Sequence, residues 1–250
     1  MKILVLADIH SNWPALQAIQ ETFDACLFVG DLVDYGTEPI PCIDWVRAHA
    51  TAVVRGNHDH AVAQHVPARN GEGFRRLAGA TRPLHWASLD PIRLKYLSRF
   101  PVTRDLTLDG LRFHLVHATP HDPLDEYLMG DSAAWRTRLK GFDCDFVCVG
   151  HTHVQFHLDL WVDRLQGEPR RIQVVNPGSV GQPRDGDPRA AYAIIENGEV
   201  TFRRVAYDID ATLKQMRYAG IDPWAIEFSE NVLRNGGQSR PQDHLTADER

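Results

Sequence analysis

Cysteine is scarce in this 250-residue sequence: Cys26, Cys42, Cys144 and Cys148 are the whole complement, and no two form a C-x-x-C pair. A chain of this size does not need disulfide staples, so buried free thiols are expected rather than a disulfide framework. Long hydrophobic runs are also missing. None approaches the ~18–20 residues of a membrane span. Positive charge is in deficit, with 27 Lys+Arg against 33 Asp+Glu and a net charge of −6. That balance argues against bulk nucleic-acid binding through the phosphate backbone. What remains, 43% hydrophobic and 24% charged residues, is ordinary for a globular protein and too apolar for a disordered one. The N-terminal apolar stretch Ile3–Ala7 is broken at once by Asp8 and His10, with no small-residue cleavage site after it. It reads as a first strand rather than a signal peptide, and a cytoplasmic location is expected.

Histidine is the exception to this plainness. There are 13, more than twice what a chain this long ordinarily carries, and several stand beside Asp, Asn or Gly.

Short, β-branched apolar runs bounded by turn signals predict strands at Ile3–Ala7, Cys26–Val29, Ala52–Val54, Leu111–Val116, Phe146–Val149, Ile172–Val175, Ala191–Ile195 and Val200–Val205. Pro14–Phe23 and Ile40–Ala48 read as helices between the early strands, which implies a parallel α/β core that becomes mixed towards the C-terminus. One domain is expected over 1–234. It includes a mostly helical excursion at 60–100 and C-terminal helices at 210–234, the first capped by Asp210 and the second opened by Asp222-Pro223. Residues 235–250, rich in Gly, Gln, Ser and charge, predict a disordered tail.

Five segments place metal-ligand residues directly after a strand: Asp8-Ile9-His10-Ser11-Asn12, Gly30-Asp31-Leu32-Val33-Asp34, Gly56-Asn57-His58-Asp59, Val116-His117, and Gly150-His151-Thr152-His153. The carboxyl ends of strands in an open α/β sheet form its ligand crevice, so these segments should converge. Asp, Asn and His donors without thiolate suit Mn²⁺, Fe or Zn²⁺ rather than a closed cysteine site or an all-oxygen Ca²⁺ or Mg²⁺ cage. The donors outnumber the needs of one catalytic ion. Two ions sharing a carboxylate are the economical arrangement, and such a pair suits in-line displacement at phosphorus.

Together these motifs, with Asn176-Pro177-Gly178-Ser179, Gln182 and Arg184, resemble the calcineurin-like metallophosphoesterases, and in particular their small bacterial and archaeal phosphodiesterase branch. The resemblance runs from about residue 1 to 205. It implies a four-layer α/β/β/α sandwich with mixed sheets and a dimetal site at the strand ends. By the same resemblance, Asp8, His10 and His153 would hold one ion, Asp31 would bridge, and Asn57, His117 and His151 would complete the second. His58 would be the non-ligand histidine facing the leaving group, oriented by Asp34. The implied cofactor is a pair of divalent transition-metal ions, Mn first, with Fe, Zn or Ni as alternatives. The implied reaction is hydrolysis of a small phosphate ester by in-line attack of a hydroxide bridging the ions.

Asn12, Tyr35 and Arg184 are the candidate substrate contacts. Tyr35 follows Asp34 where protein-phosphatase members of the family carry arginine. The missing two-pronged cationic clamp favours diesters over monoesters. Two other readings are a phosphomonoesterase or protein phosphatase and a non-catalytic metal-site scaffold on the same fold. Among the remaining histidines, His114 should point away from His117 across the strand. His49, His65, His85, His157 and His244 are expected on the surface, while His60 and His121 are placed near the pocket. A homo-oligomer is compatible with the sequence, and nothing in it specifies one.

Overall fold

A computed structural model describes residues 1–237 of the chain. The chain begins with β1 (Lys2–Leu6), α1 (Trp13–Gln17), β2 (Ala25–Phe28), α2 (Pro39–His49) and β3 (Ala52–Val53). The excursion follows as α3 (Asn57–Ala63), α4 (Gly73–Ser88) and α5 (Pro91–Ser98). Next come β4 (Thr103–Leu108), β5 (Leu111–Val116), α6 (Ser132–Leu139), β6 (Phe146–Cys148), β7 (Gln155–Val162) and β8 (Arg170–Pro177). The described chain closes with β9 (Ala190–Glu196), β10 (Glu199–Val205), α7 (Ile209–Tyr218) and α8 (Pro223–Asn235).

Two five-stranded mixed sheets result, ordered β10-β9-β1-β2-β3 and β4-β5-β6-β8-β7. In the first, β1, β2 and β3 are parallel and β9 lies antiparallel to β1. In the second, β5, β6 and β8 are parallel and both edges are antiparallel. The near-continuous apolar strands are explained by burial on both faces. Ile3, Val5, Leu27 and Val29 face Phe113, Leu115, Phe146 and Cys148 between the sheets. On the outer face of the first sheet, Leu4, Leu6 and Phe28 pack against Leu16 of α1, Ile43 and Val46 of α2 and Leu97 of α5. On the outer face of the second, Val147, Ile172 and Val174 pack against Trp135 and Leu139 of α6. The molecule is therefore a four-layer α/β/β/α sandwich. Each fully buried Leu, Ile or Phe contributes about 1.5–3 kcal/mol by leaving water. All four cysteines are buried and free.

Three local expectations need correction. The helix expected over Pro14–Phe23 ends at Gln17, because the chain must drop back for Asp24 N–H to bond Lys2 O and start β2 beside β1. Helix α7 is capped by Asp208, whose carboxylate accepts from Ala211 N–H at 2.9 Å, rather than by Asp210. Strands β4 and β7 are additional to those predicted. Of the expected tail, 235–237 are described: Asn235 ends α8 and Gly236 adopts the left-handed cap. The rest of the tail, His244 included, lies outside the described residues. Among the described residues, no helix is long and apolar enough to cross a membrane.

Candidate metal centre

The turns after β1, β2, β3, β5 and β6 meet at one end of the sandwich. Their backbone is unusual. Asp8, His10, Ser11, Asp31, Asp34, Tyr35, His151 and His153 all have positive φ, between 49° and 66°. Non-glycine residues in this region cost of order 1–3 kcal/mol each and persist where surrounding structure holds them, typically at functional sites. Glycine permits the closest approaches. A Cβ on Gly56 would lie 2.0 Å from Asp31 Oδ1, and one on Gly30, whose φ is +97°, would lie 2.7 Å from His117 Nδ1.

The turns bring together two donor groups that share Asp31. Asp8, His10, Asp31 and His153 form one, and Asp31, His117 and His151 the other. His117 Nε2 is 3.1 Å from Asp31 Oδ2, His10 Nε2 is 3.8 Å from the same oxygen, and His153 Nε2 is 3.4 Å from Asp8 Oδ1. Asn57 opens α3 beside them, its neighbour His58 donating its backbone N–H to Asp31 Oδ1 at 2.9 Å.

The donor set fits divalent cations on three counts. First, His10, His117 and His153 each direct Nδ1 at a backbone carbonyl, those of Val33, Val29 and Gln182, at 2.9, 2.8 and 2.6 Å. At His10 and His153 this fixes the neutral tautomer and leaves the Nε2 lone pair free to ligate, and at His117 it aims Nε2 at Asp31. Second, Asp8 Oδ2, Asn57 Oδ1 and His117 Nε2 are buried without a hydrogen-bond partner. Buried orphans of this kind are rare unless something else satisfies them. Third, burial lowers the pKa of His10 and His151 to about 3 and pushes His153 well below its ordinary value, so these imidazoles are neutral, as ligands must be. Burial opposes ionisation of Asp31, yet the facing His117, His58 and His10 hold it well below the carboxylate range. Burial works against charge on His117 as well, but Asp31 draws it up to about 10. A divalent ion would displace that proton.

Beside this centre, His58 Nδ1 donates to Asp34 Oδ2 at 2.7 Å. The His58 ring packs edge-on against His10, with centroids 5.0 Å apart, and beside Tyr35, at 4.6 Å. Burial alone would favour a protonated Asp34, but His58 and Arg82 hold its pKa down. Asp59 is a brace that the sequence does not single out. Its carboxylate accepts from the N–H groups of Asp31, Leu32 and Gly56 at 2.8–3.0 Å, tying the turn after β2 to the start of α3.

Among the substrate candidates, Tyr35 and Arg184 lie at the centre. The Tyr35 ring is 4.4 Å from that of His10, and the Arg184 guanidinium lies 3.9 Å over Phe74 and 6.0 Å from the Tyr35 ring. Arg184 Nη2 reaches Gln182 Oε1 at 3.3 Å, while its Nε is buried without a partner. Asn12 is corrected to a structural role. Its Oδ1 caps α1 and accepts from Thr212, and its Nδ2 donates to Gly181 O at 2.8 Å and to Tyr207, leaving nothing for a phosphate.

His85 is a second correction, being fully buried rather than on the surface. It belongs with Thr81 and Arg82 to the buried face of α4 that begins at Leu77 and Ala78, where polar side chains take up the inward positions that apolar ones would ordinarily fill. His114 points away from the centre and donates to Asp105 at 2.7 Å. His49, His65 and His157 are exposed, and so is His121. His60 is half-buried beside Arg55. Tyr127 carries no motif in the sequence and stands beside the centre. Its ring stands 5.6 Å from that of His151 and its hydroxyl donates to Thr152 O, in a loop whose sequence gives no periodic signal.

Comparison with known proteins agrees with this geometry. Residues 1–199 match the calcineurin-like phosphoesterase superfamily domain. An uncharacterized protein of Methanocaldococcus jannaschii is 29% identical over 241 residues, spanning 90% of this chain and 96% of that one. The crystal structure of a metallophosphoesterase from Sphaerobacter thermophilus is 32% identical, with a TM-score of 0.74 over 94% of this chain and 99% of that one. A hypothetical protein from Pyrococcus horikoshii OT3 is 20% identical and shares the fold, with a TM-score of 0.72 over 96% of this chain and 99% of that one.

Proposed function

Because this chain belongs to the calcineurin-like phosphoesterase superfamily, we propose that it is a dimetal-dependent phosphoesterase acting on small phosphate esters, with diesters preferred. The observation that carries the reading is the pair of donor groups joined through Asp31, with orphaned buried donors on Asp8, Asn57 and His117. Asp8, His10 and His153 would hold one ion, Asn57, His117 and His151 the other, and Asp31 both. Two divalent ions, Mn²⁺ by preference, would supply a nucleophile at neutral pH and neutralise charge developing at phosphorus.

The chain's own residues do the rest. Asp34 anchors His58 through Nδ1, and the other ring nitrogen, Nε2, is the atom that would act as the proton donor. As the bond from phosphorus to the leaving oxygen breaks, its electron pair stays on that oxygen. The proton on His58 Nε2 passes there, and the imidazole is left neutral. Arg184, with an unpartnered Nε, supplies one cation to the phosphate. A diester brings a single negative charge to that single arginine. A monoester dianion brings a second, and Tyr35 offers it only one neutral hydrogen bond.

The test is an assay of chelator-treated protein on bis(4-nitrophenyl) phosphate before and after reloading with Mn²⁺. Activity should be abolished and then restored. Full activity in metal-free protein would overturn the reading.

A further inference from the structure

Helix α4 belongs to the excursion, yet it presents three polar side chains inward, Thr81, Arg82 and His85, at a spacing that places them on one helical face. All three grip the turn after β2. Thr81 Oγ1 accepts from Tyr35 N–H at 3.0 Å, and His85 Nδ1 accepts from Asp34 N–H at 3.1 Å. His85 Nε2–H donates to Gly36 O at 3.0 Å. Asp34 and Tyr35, held between these bonds, have φ of 66° and 63°.

Arg82 goes further and reaches the Asp34 side chain. Its Nε and Nη2 donate to Asp34 Oδ2 at 2.9 and 2.5 Å, and its Nη1 donates to Val66 O at 3.0 Å. The same Oδ2 receives His58 Nδ1–H at 2.7 Å, while Oδ1 is buried with no hydrogen-bond partner. The carboxylate is thus loaded on one oxygen. A guanidinium is permanently charged and its fork is rigid, so it fixes both the ionisation and the rotation of the group it holds. No other side chain hydrogen-bonded to Asp34, among the described residues, selects which oxygen faces His58.

We propose that Arg82 is the positioning residue of the His58–Asp34 pair, fixing the Asp34 carboxylate and through it the direction in which His58 Nε2 points. Arg82 touches none of the donors assigned to the ions. Its influence on turnover runs through His58 and rests on the phosphoesterase reading. Its influence on the His58–Asp34 hydrogen bond does not.

The experiment compares wild type, Arg82→Lys, Arg82→Leu, His58→Ala and His58→Ala/Arg82→Leu, each loaded with Mn²⁺ for kinetics and metal content and with Zn²⁺ for proton NMR. Elemental analysis should find wild-type metal content throughout. Arg82→Leu should lower kcat ~10–100-fold for a diester that expels an alkoxide, a part of the general-acid effect. It should cost only a few-fold when nitrophenolate leaves, with KM unchanged. Arg82→Lys, keeping the charge but not the fork, should recover part of the loss. In the His58→Ala background Arg82→Leu should cost nothing more. The downfield imidazole N–H resonance, assigned by its absence from His58→Ala, should move or vanish in both Arg82 variants.

Equal losses for both diesters, an undiminished loss in the His58→Ala background, or an unmoved resonance would overturn the proposal. If Arg82→Leu does not fold, Arg82→Lys carries the same readouts. If wild type hydrolyses neither diester, the phosphoesterase reading fails. The resonance then decides the coupling alone: movement in the Arg82 variants upholds it and constancy overturns it.

Discussion

His10 and His153 meet Nε2 to Nε2 at 3.2 Å, although each ring directs its Nδ1 at a backbone carbonyl. With the Nδ1 positions donating, both Nε2 atoms present lone pairs. Two lone pairs at that distance repel, and a cation beside both relieves the repulsion.

Metal should therefore stabilise the fold as well as equip it. A ligand at a hundredfold excess over its Kd adds about 2.7 kcal/mol, and for 150–250 residues each kcal/mol moves Tm by ~2–4 °C. Mn²⁺ added to chelator-treated protein should raise Tm by roughly 5–10 °C in calorimetry. Asp31→Asn, which removes the shared carboxylate, should abolish that rise and empty both sites in elemental analysis. A variant with wild-type metal content would show that Asp31 does not bridge.

His58→Ala should retain both ions and lose ~10²–10⁴-fold in kcat on esters with poor leaving groups. The loss should shrink when nitrophenolate departs, since that leaving group needs no proton. Losses of equal size for the two classes would assign His58 to binding instead.

The proposed diester preference rests on one arginine beside a tyrosine. We expect a higher kcat/KM for bis(4-nitrophenyl) phosphate than for 4-nitrophenyl phosphate, and a smaller gap after Tyr35→Arg. Arg184→Ala should lower kcat/KM for both substrates, by ~10-fold or more through loss of a charge-assisted contact. A wild-type preference for the monoester would mean that a further cation reaches the phosphate.

Stability should fall on acidification partly because of His85. Burial lowers its pKa from the ordinary 6.5, and its Nδ1 accepts the Asp34 N–H, so the folded state keeps it neutral. Between 6.5 and the lowered folded value the unfolded chain binds the extra proton, so stability is lost as pH falls through that window. A tenfold difference in proton affinity between the folded and unfolded chain is worth about 1.4 kcal/mol. Urea unfolding of chelator-treated protein from pH 7.5 to 5.5 should show a shallower pH slope for His85→Gln than for wild type. Parallel slopes would exonerate His85.

The strand ends and their donors were legible because buried strands are apolar and the residues after them are not, as at Val5-Leu6-Ala7-Asp8 and Val29-Gly30-Asp31. The edge strand β4, Thr-Arg-Asp-Leu-Thr-Leu, is largely exposed and reads as loop, because its pairing with β5 leaves few apolar residues to announce it. In β7, Phe156, Leu158, Leu160 and Val162 alternate with outward-facing His157, Asp159 and Trp161, a period-two pattern that a reading of continuous apolar runs passes over. The α4 face was the hardest to see. Arg82 and His85 are residue types assigned to solvent, and only the third dimension shows that the turn at Asp34 lies against them. Asn12 failed in the opposite direction, since a polar residue beside a site looks the same in sequence whether it serves ligand or backbone.

The donors come from both sheets, Asp8, His10, Asp31 and Asn57 from the ends of one and His117, His151 and His153 from the ends of the other. The pair His10 and His153 is separated by 143 positions in the chain. Strand β1, which carries Asp8 and His10 at its end, gains its second neighbour only when β9 arrives at Ala190. Contacts of such separation form late, after the loop-closure entropy has been overcome. A partly synthesised or half-folded chain therefore has scattered histidines but no chelate. On the proposed reading, capture of the ions, and with it hydrolytic power, would begin only with the completed fold.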